Sequence, residues 1–416
     1  MKKIVSLSML ASAILFADSD LDQLKLQIQQ LQEKVQNIEK QNAQKEQASI
    51  DAKVANDTSS SFSQAAYLPD IGLVLDMSAL SRNIDNTAYL TQAMPGFLQS
   101  DPNGDFPFNK DNGFNLNYAE VSMHSVVDPY FDVFAVFHIH PTAIEVEEAY
   151  VRTRALPYSL LVKAGKFKSD FGRINAKHQH SWAFSSQPLI YAGLFGPDGI
   201  SDPGVQLQWI APTNTYLMAG VEAMQGTNTQ SFGNVERNNL YIGYLKSSVD
   251  LTDDISVLGG ISGVTGKNPN GNTNVYGADL TVRAELGNYS SLVWQSEYLK
   301  RDMDNNMTSG LTKDKQAGVY SELIYNIDEN WATGARYDRI VQNDVGDMSL
   351  YAPAGVNTNN LDRTTVMLQY KPFEFSRLRL EYTDDRSKII DGQRKNIQEV
   401  MLNLTIEAGS HGAHAY

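Results

Sequence analysis

The fold is decided by FNLNYAEVSMHSVV (residues 114–127) and the segments that follow it, YFDVFAVFHIH (130–140), AIEVEEAYVRTR (143–154) and YSLLVKAGKFK (158–168). Each segment alternates polar and apolar residues, as a β-strand with two different faces does. Short proline-containing turns join them at one end, and a very long loop, 169–203, follows the fourth. This combination is typical of a transmembrane β-barrel whose third outer loop folds into its lumen.

The second segment shows what the alternation implies. One face is formed by apolar residues and the other by polar ones: Phe131, Val133, Ala135, Phe137 and Ile139 against Asp132, His138 and His140. In a soluble β-sandwich the apolar face would form the core. In a transmembrane barrel it contacts lipid, and the polar face lines a water-filled interior. The rest of the chain favours the barrel.

The N-terminal part of the chain predicts three segments outside the barrel. Residues 1–17 are predicted to be a signal peptide, because two lysines precede an apolar run too short to span a membrane. Residues 18–42 predict a short coiled-coil helix, since apolar residues recur at alternating intervals of three and four: Leu21, Leu24, Ile28, Leu31, Val35 and Ile38. We expect this seam to associate copies of the chain, with a single amphipathic surface helix as the alternative. Residues 43–66 are small and polar and predict a flexible linker.

Residues 67–416 predict an all-β domain, an antiparallel outer-membrane β-barrel of about 16 strands. The predicted strands start at residues 71, 115, 130, 144, 159, 204, 214, 238, 255, 273, 289, 315, 330, 361, 375 and 395. Short turns alternate with mostly long connections, which include 169–203, 265–272 and 385–394. Short periplasmic turns and longer external loops explain this alternation. The signal peptide and the even strand number predict a bacterial outer-membrane protein with both termini in the periplasm.

One patch resembles the phosphate-selective porin O/P group of Gram-negative outer-membrane porins. Its residues are EEAYVRTR (147–154) and, after a proline turn, LVKAGKFKSDFGR (161–173), with the coiled-coil segment ahead of them in the chain. The resemblance implies a trimer of sixteen-stranded barrels, a constricting third loop and basic lumen residues. The basic residues of this patch and the loop after it are Arg152, Arg154, Lys163, Lys166, Lys168, Arg173 and Lys177, whereas the whole chain carries a net charge of −14.

Two histidine pairs are candidate metal ligands. His138 and His140 share the polar face of one strand, and His178 and His180 lie in the long loop expected to enter the same half of the barrel. Four converging imidazoles could bind Zn²⁺ or another divalent metal. The alternative is that they are polar lumen and loop residues bonded to backbone and carboxylates. No other cofactor is predicted.

Charged residues on the predicted lumen face are expected to set ion selectivity. They are Glu148, Arg152, Arg154, Lys166, Lys168, Arg173, Arg377 and Arg379, with Asp279, Glu285 and Glu322 as further acidic residues. A constriction dominates permeation because field lines focus where the water path is narrowest. Since basic residues concentrate beside the long loop, we expect a weak anion preference at low salt.

These observations predict a porin and not an enzyme. The chain lacks GxSxG, HExxH and a Gly-rich phosphate loop. The predicted function is passive diffusion of small hydrophilic or ionic solutes through a water-filled channel constricted by loop 169–203. One alternative is a metal-ion or metal-chelate uptake channel that uses the histidine pairs, and another is a structural or adhesive envelope barrel. The expected partners are outer-membrane lipid, further copies in a homotrimer, small solutes and, through the coiled coil, peptidoglycan, but not nucleic acid.

Overall fold

The computed structural model of the 416-residue chain describes residues 69–90, 92–97, 108–140, 143–233, 235, 239–305, 313–350 and 352–409. The signal peptide, coiled-coil helix and linker predicted for residues 1–66 lie outside this part of the chain, so those predictions stay predictions. Among the described residues, no helix has the length and apolar character needed to cross a membrane.

The described residues form a closed antiparallel barrel of 16 strands. In chain order the strands are β1 Asp70–Arg82, β2 Gly113–Val126, β3 Phe131–Ile139, β4 Ile144–Thr153, β5 Leu160–Lys168, β6 Ser201–Ile210, β7 Tyr216–Met224, β8 Leu240–Thr252, β9 Ile255–Asn268, β10 Gly271–Gly287, β11 Ser290–Asp304, β12 Lys313–Asn326, β13 Trp331–Asp344, β14 Asp362–Phe373, β15 Ser376–Ile390 and β16 Gln393–Gly409. Each strand pairs with its neighbours in sequence, and β1 pairs with β16, so the sheet has no free edge. The predicted fold class is confirmed, and each predicted strand start lies within three residues of the observed one.

The two ends of the barrel differ in their connections. At the turn end the strands are joined by short turns such as 127–130 and 288–289, whereas at the loop end the connections include 83–112, 169–200 and 345–361. The connection 83–112 carries the short helix α1, Asn86–Leu90. The prediction of long connections at 265–272 and 385–394 was wrong. The strands on either side extend into both ranges, so only residues 269–270 and 391–392 connect them. Strand residues beyond the apolar band need no apolar face, so these polar ends were mistaken for loops.

The outer face of the barrel is apolar. Large exposed side chains follow the strands around the whole sheet, including Ile71, Val133, Leu207, Val221, Ile261, Leu323, Val366 and Leu402. Exposed aromatic residues gather at the turn end: Tyr130, Tyr158, Tyr289, Trp331 and Phe373. An apolar surface of this extent, bordered by aromatic residues, is suited to lipid and not to water.

The connection between β5 and β6, residues 169–200 and called L3 below, lies inside the barrel. It contains a 3-10 turn, Gln179–Ser181, and the helix α2, Leu189–Phe195. Its apolar side chains are buried in one cluster with inner-face residues of the strands: Phe171, Ile174, Trp182, Leu189, Ile190, Tyr191, Leu194 and Phe195 with Val275, Leu299, Tyr320 and Ile340. The hydrophobic core therefore sits within the barrel, as expected for a third loop that folds inward.

Candidate functional site

A buried ion-pair network ties α2 to the barrel wall. The carboxylate of Asp338 accepts hydrogen bonds from Arg336 Nε and Arg363 Nη2, each at 3.1 Å. The same carboxylate accepts the backbone N–H of Leu189, also at 3.1 Å, where α2 begins. Arg336 also donates to the carbonyl of Ser186 at 2.7 Å. These contacts between inward-pointing strand residues and loop backbone hold L3 across the lumen.

Two arginines predicted to line a pore also contact L3. Arg379 donates from Nη2 to the carbonyl of Trp182 at 3.0 Å, and its side chain is 1% exposed. Arg377 donates to the carbonyl of His180. Both side chains thus bind the loop that narrows the lumen, and Arg379 does not face open water.

Imidazole and carboxylate groups meet where L3 leaves the wall. His138 Nε2 lies 3.2 Å from Glu120 Oε2 and 2.5 Å from Glu147 Oε2. His178 Nδ1 lies 3.4 Å from Glu120 Oε2 and 3.2 Å from Glu147 Oε2. His180 Nδ1 lies 3.3 Å from Glu120 Oε2. We call Glu120, His138, Glu147 and His178 the His–Glu cluster; its four donor atoms all lie within 4.8 Å of one another.

A β-bulge explains why two consecutive glutamates both point inward. Along the β3–β4 ladder Val136 pairs with Glu148, and the next pair joins Phe137 to Val146. Glu147 is therefore the extra residue of a bulge. The bulge turns the Glu147 side chain toward the inner face, to which the Glu148 side chain also points. Both glutamates are buried. A strictly alternating strand would have pointed one of them outward.

Contacts around the cluster fix its side chains. His178 Nε2 lies 2.9 Å from Glu148 Oε2, while its Nδ1 faces the cluster. Glu148 also accepts the backbone N–H of Lys168 at 2.8 Å. The ammonium of Lys168 lies 2.8 Å from the other oxygen of Glu147. Burial alone would lower the pKa of His178, but Glu147 and the other carboxylates around it raise that pKa well above its usual value.

The remaining basic residues of the predicted selectivity set are partly exposed and paired with acids. Arg152 Nη2 and Arg154 Nε lie 3.1 Å and 3.4 Å from the two oxygens of Asp132, and their side chains are 38% and 40% exposed. Lys166 Nζ lies 3.9 Å from Glu145 Oε1. The two arginines thus share the carboxylate of Asp132.

His140 and Arg173 lie apart from the His–Glu cluster. The His140 ring stands edge-on to that of His138 with a centroid separation of 6.1 Å, and His140 has no donor atom in the four-atom group. A cavity of about 510 Å³ lies beside it at the loop end, lined by His138, Glu147, Lys168 and Asp198 among others. Arg173 is half-buried in L3, where its backbone N–H bonds Glu297 at 3.2 Å. The group of close donor atoms thus combines two of the four predicted histidines with two glutamates, and metal binding by the histidines stays a prediction.

Glu120 and Glu147 were not predicted as members of this group. For Glu120 a signal existed, because a hairpin centred on Asp128-Pro129 places residues 120 and 138 opposite each other, as the observed register does. For Glu147 no signal existed, since a bulge is invisible in an alternation pattern. The acidic residues that were predicted in the lumen, Asp279 and Glu322, are buried on the inner face, whereas Glu285 is exposed and pairs with Arg283.

A closed barrel of this strand number, with an apolar exterior and an internal third loop, defines the porin class of outer-membrane folds. No family model matches the chain. A protein of Aquifex aeolicus (strain VF5), described as "Uncharacterized protein", is 37% identical over 391 residues, which cover 86% of this chain and 82% of the relative. The chain belongs to the same family as this Aquifex protein.

Solved structures share the fold at low sequence identity. The outer membrane channel DcaP of Acinetobacter baumannii is 13% identical and covers 83% of this chain and 99% of its own, with a TM-score of 0.53. An anion-selective porin from Comamonas acidovorans is 10% identical and covers 82% and 99%, with a TM-score of 0.54. The trimer form of in-vitro folded OmpT, an outer membrane protein of Vibrio cholerae, is 12% identical and covers 82% and 99%, with a TM-score of 0.51. The narrower resemblance to the phosphate-selective O/P group stays a prediction.

Proposed function

We propose that the protein is an outer-membrane porin through which small hydrophilic or ionic solutes diffuse passively. The observation that carries this proposal is a closed barrel with an apolar exterior whose third loop crosses the lumen. The apolar exterior belongs in lipid, and the polar residues of the inner face that L3 leaves exposed belong in contact with water. L3 narrows the path and thereby limits the size of the solute.

The location and assembly follow from the same reasoning. The predicted signal peptide exports the chain, and the barrel inserts into the outer membrane with both termini in the periplasm. A homotrimer is supported by the predicted coiled-coil seam of residues 18–42 and by a fold neighbour that is described as a trimer form. In that arrangement the seam brings the N-terminal helices of three barrels together in the periplasm.

A weak anion preference is supported by Arg152 and Arg154. Both guanidinium groups remain partly exposed on the inner wall and share one carboxylate, that of Asp132. The other basic residues contribute less, since Lys168 is paired with Glu147 and Arg379 is buried against L3. Exposed charges act on ions in the water path, whereas buried pairs are already neutralised.

The alternative of a metal-uptake channel is less well supported by the geometry. A transported ion needs ligands along the water path that release it readily. The donors of the His–Glu cluster are instead buried at the junction of L3 and the wall. Passive diffusion of ordinary solutes is therefore the function that we propose, with no enzymatic activity.

Solute uptake by liposomes tests the proposal. Purified protein reconstituted into liposomes should let small sugars and amino acids enter, and the rate of swelling should fall steeply as solute size increases. Protein-free liposomes are the control for leakage. Swelling no faster than in the control would reject diffusion through this barrel and favour a structural or adhesive role.

A further inference from the structure

The His–Glu cluster has the features of a metal site. We propose that Glu120, His138, Glu147 and His178 bind one divalent transition-metal ion of the Zn²⁺ type, which joins L3 to β2, β3 and β4. The site goes beyond the porin function and holds whether or not the barrel conducts. Its ion is resident and structural, bound between the barrel wall and the loop.

Three distances between donor atoms of the cluster match the edge of a tetrahedral coordination shell. Zn²⁺ bonds imidazole nitrogen and carboxylate oxygen at about 2.1 Å, so adjacent ligand atoms lie about 3.4 Å apart. Glu120 Oε2 lies 3.2 Å from His138 Nε2 and 3.4 Å from His178 Nδ1, and Glu147 Oε2 lies 3.2 Å from His178 Nδ1. The contact between Glu147 Oε2 and His138 Nε2, at 2.5 Å, is shorter and has to lengthen by about 1 Å to reach that edge.

The groups behind the donors are those that orient metal ligands. His178 directs Nδ1 into the cluster while its Nε2 contacts the carboxylate of Glu148 at 2.9 Å. This is the carboxylate–histidine–metal arrangement that fixes the tautomer of a ligand and raises its basicity. Glu147 directs Oε2 into the cluster while Lys168 holds its Oε1 at 2.8 Å. Each of these two ligands therefore presents a single atom to the ion.

The charge of the buried groups matches a divalent cation. Glu120, Glu147 and Glu148 contribute three negative charges and Lys168 one positive charge, all on buried side chains. With neutral imidazoles the sum is two negative charges, which one divalent ion neutralises. Buried charge without compensation is costly, so either a cation or extra protons on the imidazoles must balance these carboxylates.

The donor set selects the class of metal. Imidazole nitrogen combined with carboxylate oxygen suits Zn²⁺, Co²⁺ and Ni²⁺, whereas Ca²⁺ and Mg²⁺ prefer shells of oxygen. His180 Nδ1 lies 3.3 Å from Glu120 Oε2 but does not belong to the four-atom group. The cavity of about 510 Å³ at the loop end borders His138 and Glu147 and gives the ion a route to the site.

Metal titration of the full-length protein tests the site. Detergent-purified protein is stripped with a chelator and titrated with Co²⁺, whose visible absorption reports coordination, and then with Zn²⁺. We expect one ion per chain, with Zn²⁺ displacing Co²⁺. His138→Ala combined with His178→Ala should abolish binding. Glu148→Gln should weaken it by about 10- to 100-fold, because it removes the partner that orients His178.

His140→Ala is the matched control, since this neighbouring histidine is outside the four-atom group, and it should keep one ion per chain. Heat-modifiable migration on gels verifies that each variant is folded. The proposal is overturned if stripped wild-type protein binds no Zn²⁺ at micromolar concentration, or if the double variant binds as well as wild type. Either result would identify the cluster as an ion-pair network balanced by protons. Metal titration of the wild-type protein does not depend on whether the barrel conducts, so its outcome is independent of the liposome test of the porin function.

Discussion

Removal of the Asp338 carboxylate should release α2 of L3 from the barrel wall. This side chain is fully buried and accepts hydrogen bonds from Arg336, Arg363 and the backbone N–H of Leu189. Asp338→Ala leaves two buried guanidinium groups without their counter-charge and the first amide of α2 without its acceptor. L3 then opens more often, because opening hydrates both arginines.

The size of the effect follows from the kind of contact that is lost. Breaking a buried ion pair by removing one partner costs about 3–5 kcal/mol. Arg336 and Arg363 keep their bonds to the carbonyls of Ser186 and Gln187, so we take the lower end, about 3 kcal/mol. At about 1.4 kcal/mol per factor of ten, this corresponds to roughly 100-fold more frequent opening of L3. Asp338→Asn keeps an acceptor for the N–H of Leu189 and should have a smaller effect.

Hydrogen exchange measured by mass spectrometry reports this opening directly. Peptides from residues 182–197 should exchange about 100-fold faster in Asp338→Ala, provided that exchange follows the open population. Peptides from the barrel strands should be unchanged, because their ladders are intact. Asp384→Ala is the control, because it breaks an ion pair with Arg386. The Arg386 side chain is 57% exposed, and exposed ion pairs contribute little to stability.

Exchange of the L3 peptides within twofold of wild type would show that the Asp338 network does not hold the loop. Equal acceleration in the barrel strands would also contradict the prediction, because Asp338 would then stabilise the barrel as a whole.

Three further results are expected. Arg152→Gln with Arg154→Gln should shift the reversal potential in a KCl gradient toward cations, since it removes two partly exposed positive charges; an unchanged potential would place selectivity elsewhere. Deletion of residues 18–42 should lower the yield or heat resistance of trimers on gels without unfolding the barrel, and an identical trimer would leave attachment to the cell wall as the better role. Gly165→Val should prevent assembly of the heat-resistant barrel, because an added Cβ at φ +136° would lie 2.2 Å from a carbonyl oxygen of β4, whereas Gly243→Ala meets nothing within 4 Å and should assemble normally.

The barrel could be predicted from sequence because its two determinants are local. Alternation of polar and apolar residues assigns each strand its faces, and turn residues mark the strand ends. The alternation of polar and apolar residues is lost in the parts of the strands that lie outside the lipid. Beyond the apolar band the strands can carry polar residues on both faces, so the end of β9 and the start of β10 looked like one loop.

The site was only partly predictable because its residues meet through long-range contacts. His138 and His178 were recognised as candidates by residue type, and Glu120 could have been added from the register of the β2–β3 hairpin. The Glu147 side chain points inward because of a β-bulge. The hydrogen bonds from Arg336 and Arg363 to the L3 backbone depend on the path of L3 across the lumen. Neither the bulge nor the path leaves a periodic trace in the sequence.

Single-channel recording shows whether the barrel conducts ions. The purified full-length protein is added to a planar lipid bilayer in KCl, and the current is recorded at low and at high salt. We expect discrete, steady, ohmic conductance steps that are small because L3 fills part of the lumen. We also expect a weak anion preference that fades as salt screens the wall charges. A folded, inserted protein that passes no steady current would contradict the porin assignment and identify the barrel as closed.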